Sequence, residues 1–208
     1  MKTELNSNFY AVKLLAVTAA IFSLALLTSC DDDDPLKEDT PELITKATLT
    51  FTPSGGGATV TATATDPDGL GVQDIEIDGP INLSDNTVYT LTIQLINELA
   101  NPAEAEYNIT EEVEEEGDEH MFFFSWTNNV FSDPTGNGNI DNRADDVNYN
   151  DEDVNGDPIG LETSWTTGAV STGKFHVVLK HQPELKTATS TSDTGETDLD
   201  IEFDINVQ

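Results

Sequence analysis

The most regular feature of the chain is an alternation of apolar and polar positions, which is typical of half-buried β-strands. It is clearest in residues 197–208, and the same period of two appears in residues 87–96. In the last run the predicted core-facing residues are Leu199, Ile201, Phe203, Ile205 and Val207, and the predicted solvent-facing residues are Asp198, Asp200, Glu202, Asp204 and Asn206.

Short runs rich in Thr and β-branched residues recur along the chain, separated by clusters of Gly, Pro, Asp and Asn. They cover residues 44–52, 59–65, 72–78, 87–96, 120–126, 161–167, 173–181 and 197–208. The first two flank three consecutive glycines, which predicts a hairpin, and the apolar run HMFFFSW predicts a strand buried on both faces. The pattern therefore predicts an all-β domain over residues 43–208, an antiparallel β-sandwich of immunoglobulin-like size with about seven to nine strands.

One segment, ITEEVEEEGDEH at residues 109–120, lacks this alternation. Thr110 is a candidate helix cap, Val113 is the expected apolar contact, and Gly117 is the expected stop. So many like charges weaken a helix, so we expect a short acidic helix or loop insertion here.

The segment DEDVNGDPIGLE, residues 151–162, has the residue spacing of a calcium-binding loop. Its candidate ligands are Asp151, Asp153, Asn155, Asp157 and Glu162. Ca²⁺ takes six to eight oxygen ligands, which alternating short acids and one final glutamate can supply around a glycine turn. The flanking residues predict strands, so we expect a weak site that supports stability. The alternative is an acidic turn that binds no ion.

The three histidines offer a second candidate for metal chemistry. His176 and His181 lie an odd number of residues apart on one predicted strand, so they face opposite sides of the sheet and cannot share an ion. His181 has the core-facing parity, which favours ordinary packing. A site that combined Glu119, His120 and one other histidine would suit Zn²⁺ or Cu²⁺. From the sequence alone, however, we expect that no transition metal is bound.

The charge balance limits the possible partners. The formal net charge is −32, with 40 acidic residues against 8 Lys and Arg, so the chain repels nucleic acid. No nucleophile-elbow, zinc-protease or phosphate-loop motif is present, and we expect no enzymatic activity.

The chain's one cysteine ends an apolar, secretory-type stretch, in the order Leu27-Thr28-Ser29-Cys30. This order resembles a bacterial lipobox, which implies a signal peptide over residues 1–29 and an acylated Cys30. Four aspartates follow, Asp31, Asp32, Asp33 and Asp34, and resemble the surface-export signals of Bacteroidota lipoproteins. The alternative is a simple spacer. Residues 30–42 are therefore expected to form an acidic, flexible tether.

Several segments together resemble a family of small Bacteroidota surface lipoproteins. They are CDDDD, NPAEAEYNITEEVEEEGDEHMFFF, NDEDVNGDPIGLE, LKHQPELK and GETDLDIEFDINVQ. Members are often labelled "type 1 periplasmic binding fold superfamily protein" and occur near TonB-dependent receptors. The fold in that label alternates strands with helices, whereas the pattern here predicts strands.

Three functions remain open at this stage. The first is a lipid-anchored outer-membrane module, on the cell surface or on the periplasmic leaflet, that captures a ligand or metal for a TonB-dependent transporter. The second is a calcium-stabilised structural or adhesion domain. The third is a hydrolase with an unrecognised acid pair.

Overall fold

A computed structural model describes residues 42–69, 71–141 and 145–208, and these residues form the predicted all-β fold. Seven strands form the first sheet: β1 (Lys46–Pro53), β2 (Val60–Thr65), β3 (Glu76–Asp78), β5 (Val88–Ile96), β7 (Phe131–Asp133), β8 (Asn148–Tyr149) and β9 (Glu162–Thr167). Four strands form the second: β4 (Ile81–Leu83), β6 (His120–Trp126), β10 (Ser171–His181) and β11 (Glu196–Val207). The predicted signal peptide, Cys30 and Asp31 to Asp34 lie outside the described residues.

The two sheets differ in strand order. The first runs β3-β2-β1-β5-β9-β7, with β8 also paired to β9, and the second runs β4-β11-β10-β6. All pairs are antiparallel except β4 with β11. Each of the eight predicted runs contains a strand, and β4, β7 and β8 are additional short strands that the pattern did not indicate.

The inward rows of both sheets form one core. Its centre is aromatic: Trp165 contacts Phe131 at a centroid distance of 4.6 Å, and Trp126 and Phe175 at 5.2 Å each. Strand β6 is buried on both faces, as predicted, because Phe123 packs with Met121 and Val178 in a separate cluster on the opposite face of its sheet. Strand β6 lies at the edge of its sheet, and a loop covers that edge. In this loop Asn139 donates its backbone N–H to the carbonyl oxygen of Phe124.

The acidic segment forms a short helix, α1 (Ile109–Glu115). The prediction that Thr110 caps it is wrong, because Asn108 is the N-cap residue and the Thr110 hydroxyl bonds to the backbone of Leu95. Ile109 is buried as well as Val113, so the helix has two apolar contacts with the core. Within the described ranges, no helix has the length and apolar character needed to cross a membrane.

Strand β11 contains an irregularity that matters for the site. Leu179 of β10 pairs with Leu199, but Lys180 pairs with Thr197, so Asp198 is an extra residue without a partner in the ladder. Such a bulge re-aims its side chain. The prediction that Asp198 faces solvent is therefore wrong: its side chain is fully buried, while the core-facing residues from Leu199 to Val207 are buried as predicted.

Candidate metal centre

The two histidines at the ends of neighbouring strands form the heart of the site. Strand register places His120 opposite His181, in the same inward-facing row as the pair Phe122 and Leu179. The row is apolar until it reaches the edge of the core, where imidazoles replace hydrocarbon. The two rings stack with a centroid distance of 4.6 Å and an interplanar angle of 4°, and both histidines are buried.

Acidic side chains approach these rings from four other places in the chain. Glu42 precedes β1, Glu116 follows the last residue of α1, Glu119 precedes β6, and Asp198 lies in the bulge of β11. The Nε2 atom of His120 lies 3.3 Å from Glu42 Oε1 and 3.7 Å from Asp198 Oδ2. The Nε2 atom of His181 lies 3.5 Å from Glu119 Oε2. The site therefore joins the start of the first sheet to the end of the second.

Hydrogen bonding defines which nitrogen of His120 faces the acids. Its Nδ1 atom lies 3.1 Å from the carbonyl oxygen of Glu116. A carbonyl oxygen can only accept, so Nδ1 carries the proton and the Nε2 atom is directed to Glu42 and Asp198. The Nε2 atoms of both histidines and Oδ2 of Asp198 are buried without a hydrogen-bond partner. With the proton on Nδ1, the Nε2 lone pair of a neutral His120 is available to a cation, next to the carboxylates of Glu42 and Asp198.

The surroundings shift the acid–base behaviour of the site. Burial alone would lower the pKa of His120, but Glu42, the Glu116 carbonyl and Asp198 together raise it above its usual value. Burial raises the pKa of Asp198 to about 6, although the charges of His120 and His181 oppose the change. Both shifts favour the protonated form of the group, so in the absence of an ion the site retains protons to a higher pH than the free groups would.

The donor set fits a transition metal. One ligand atom from each of Glu42, Glu116, His120 and His181 lies within 4.8 Å of the others. In the described part of the chain, this is the one cluster of His, Cys, Asp and Glu residues close enough to hold a metal ion. Zinc bonds to His nitrogen and carboxylate oxygen at about 2.0–2.2 Å, which places neighbouring ligand atoms of a tetrahedral site about 3.3–3.6 Å apart. The His120–Glu42 and His181–Glu119 separations of 3.3 Å and 3.5 Å fall within that spacing. Mixed imidazole and carboxylate donors favour Zn²⁺, Cu²⁺ or Ni²⁺ over Ca²⁺.

The structure brings together some of the histidine-site candidates and separates another. Glu119, His120 and His181 meet at this centre, and His181 is buried as its parity predicted. His176 lies on the opposite face of β10, where its Nε2 atom is 2.6 Å from Asp200 Oδ1. The expected separation of His176 from His181 is thus confirmed, and His176 does not belong to the centre.

The predicted calcium loop adopts a tight turn held by its own acids. Both carboxylate oxygens of Asp151 accept backbone N–H groups, from Gly160 and Glu162. Oδ1 of Asp153 accepts backbone N–H groups from Asn155 and Asp157, and its Oδ2 lies 2.9 Å from Nζ of Lys186. The side chain of Glu162 accepts a hydrogen bond from Asn150. Calcium binding by this loop stays a prediction, and Lys186 would compete with the ion for Asp153.

Sequence reasoning missed three residues of the candidate metal centre. Glu42 was assigned to the tether, Glu116 to an undifferentiated acidic run and Asp198 to the solvent-facing row. Alternation cannot reveal a bulge, and nothing local marks Glu42 or Glu116 among the chain's many acids. The one usable signal was His181, a polar residue at a core-facing position.

Comparison of the chain with family models, with curated proteins and with solved structures gives no match.

Proposed function

We propose that this protein is a lipid-anchored binding module of the outer-membrane surface that captures a divalent transition-metal ion of the zinc class. The observation that carries the proposal is the convergence of His120 and His181 with Glu42 and Glu116, ligand atoms that lie within 4.8 Å of one another. The buried Nε2 atoms of both histidines have no hydrogen-bond partner. These nitrogen atoms and the neighbouring carboxylates are the atoms that a divalent metal would bind here.

Electrostatics supports the same conclusion. Moving a carboxylate out of water costs several kcal/mol unless a positive charge compensates it. The Asp198 side chain is fully buried and that of Glu42 is 10% exposed, and the ion pairs of both are with His120. A divalent ion would offset this cost far better than one protonated imidazole. Its binding would therefore stabilise the fold as well as fill the site.

The membrane location and the recipient of the ion are parts of the proposal that rest on the sequence. The lipobox-like Cys30 supports a lipid anchor, and the aspartates that follow support display on the cell surface. The resemblance to receptor-linked lipoproteins supports transfer to a TonB-dependent transporter. With no catalytic motif in the sequence, capture is a better account than turnover.

Isothermal titration with Zn²⁺ tests the capture function on the full chain, purified from membranes in detergent and stripped with a chelator. We expect the double variant His120→Ala/His181→Ala to weaken binding by more than about 100-fold, because even residues that only orient a ligand contribute about 10–100-fold. Each single substitution should remove the part of the binding that its imidazole supports. His176→Ala is the matched control on the same strand and should bind like the wild type. Binding that survives in the double variant, or no binding by the wild type, would exclude this centre.

The transport role needs a separate test. A pull-down of the native protein from solubilised outer membranes should recover a TonB-dependent receptor. Recovery of a polysaccharide or matrix protein in its place would support an adhesion role and contradict delivery to a transporter.

A further inference from the structure

The stacking of His120 on His181 restricts how a metal can bind. A metal–imidazole bond lies in the plane of the ring, along the lone pair of the nitrogen. The two rings are parallel to within 4°, so their planes never meet near the site. Non-bonded atoms keep stacked planes about 3.5 Å apart. One ion shared between the rings would therefore lie about 1.7 Å out of each plane, most of the length of a zinc–nitrogen bond of about 2.0–2.1 Å.

Each imidazole instead has acids of its own. Nε2 of His120 lies near Glu42 and Asp198, at 3.3 Å and 3.7 Å. Nε2 of His181 lies 3.5 Å from Glu119. The separations to Glu42 and Glu119 fall within the spacing of two ligands on one zinc ion, about 3.3–3.6 Å, and the separation to Asp198 is slightly longer. Glu116 reaches both groups, because its ligand atom lies within 4.8 Å of those of Glu42 and of both histidines.

We propose that the centre holds two divalent ions side by side, one bound by His120, Glu42 and Asp198 and the other by His181 and Glu119, with Glu116 bridging them. The proposal rests on the metal-binding function proposed above and specifies its stoichiometry. Two-metal sites in proteins have ions about 3.5–4 Å apart, which is compatible with rings whose centroids are 4.6 Å apart.

Charge balance points to the same number. The centre contains four carboxylates, Glu42, Glu116, Glu119 and Asp198, and two imidazoles that are neutral when they bind metal. Two divalent ions neutralise the four negative charges, whereas one ion leaves two of them uncompensated. Uncompensated charge at a site this buried is costly, since Asp198 is fully buried and Glu119 is 17% exposed.

The test counts ions. The detergent-purified full chain is stripped with a chelator, loaded with excess Zn²⁺, separated from free ions by gel filtration and analysed for zinc per chain. We expect two ions in the wild type and in the His176→Ala control, one in His120→Ala, one in His181→Ala, and none in the double variant. Circular dichroism confirms that each variant keeps its strands.

The outcomes separate the two proposals. One ion in the wild type, with the binding lost in either single variant, means that the rings rotate around a shared ion and overturns the two-ion centre while leaving metal capture intact. No ion in the wild type overturns both. Two ions that persist in the double variant place the binding elsewhere and also overturn both.

A second measurement needs no variant. The wild-type protein is loaded with Cu²⁺ and examined by electron paramagnetic resonance. Two Cu²⁺ ions as close as these rings give a spin-coupled spectrum with a half-field signal, whereas a single ion gives the spectrum of an isolated Cu²⁺. An isolated spectrum at saturating Cu²⁺ would overturn the two-ion centre.

Discussion

Lys186 and Asp153 form a buried ion pair that ties the segment between β10 and β11 to the Asp151–Glu162 loop. The Nζ atom lies 2.9 Å from Oδ2 of Asp153, both side chains are 1% exposed, and Nζ also donates a hydrogen bond to the carbonyl oxygen of Gly117. The remaining buried charge makes the loss of one partner costly, at about 3–5 kcal/mol. We therefore expect Lys186→Met to lower the free energy of unfolding by that amount, measured by urea denaturation.

Lys174→Met is the matched control for this substitution. Lys174 lies 2.8 Å from Asp204, but its side chain is 47% exposed. An exposed pair contributes about 0–1 kcal/mol. Equal losses in the two variants would show that the Lys186 pair is not effectively buried.

Calcium is expected to act more strongly once Lys186 is removed. Extracellular calcium modules bind with dissociation constants of about 10⁻⁴–10⁻³ M, and here the ammonium of Lys186 competes for Asp153. Millimolar Ca²⁺ should raise the melting temperature of Lys186→Met by a few degrees and that of the wild type by less. Glu162→Gln in the Lys186→Met background should remove the increment, and Mg²⁺ should not replace Ca²⁺. If calcium shifts neither protein, the loop is an acidic turn.

The chelator-treated protein should lose stability as pH rises. Asp198 has a pKa of about 6 in the folded state against 3.8 when unperturbed. Its ionisation therefore destabilises the fold: the effect is absent below about pH 4 and complete above about pH 6. Protonated His120 stabilises the fold because its pKa is raised, and this stability is lost as the pH rises through the pKa of His120 in the folded state. Glu42, Glu116, Glu119 and His181 also face these groups. In chelator, the melting temperature should fall as the pH is raised from about 5 to about 8, and added zinc should restore it.

Asp198→Asn should separate stability from binding. Asn keeps an oxygen that can accept the Glu42 N–H, as Oδ1 of Asp198 does at 3.3 Å, but it removes a buried charge. We expect a higher melting temperature at neutral pH in chelator, a flatter pH dependence, and zinc affinity lower by about 10–100-fold. Unchanged affinity in calorimetry would remove Asp198 from the ligand set.

We expect membrane anchorage to depend on Cys30. Cys30→Ala should abolish fatty-acid labelling and move the protein to the soluble fraction. Replacing Asp31, Asp32, Asp33 and Asp34 with Ala should preserve labelling and lower protease accessibility on whole cells. A Cys30→Ala protein that stays in the membrane fraction would contradict lipidation at this residue, and unchanged accessibility would reduce the aspartates to a spacer.

The strands were predictable because period-two alternation and turn residues act locally. The short strands β4, β7 and β8 were not, since two or three residues contain no measurable period. Parity placed His181 on the inner face, but its pairing with His120 depends on the register of β6 against β10, which tertiary packing decides. The prediction that Asp198 faces solvent failed because one extra residue in a strand reverses which side of the sheet each preceding residue faces.

The bulge in β11 affects the candidate site without affecting the rest of the sheet. Residues 199–207 keep their inward rows whether or not Asp198 is present, because the extra residue lies before them. A chain one codon shorter at this point would form a continuous ladder with the same aromatic core and without the acid beside His120. A single insertion or deletion at this position would therefore add or remove one buried acid next to His120 while the aromatic core stays the same.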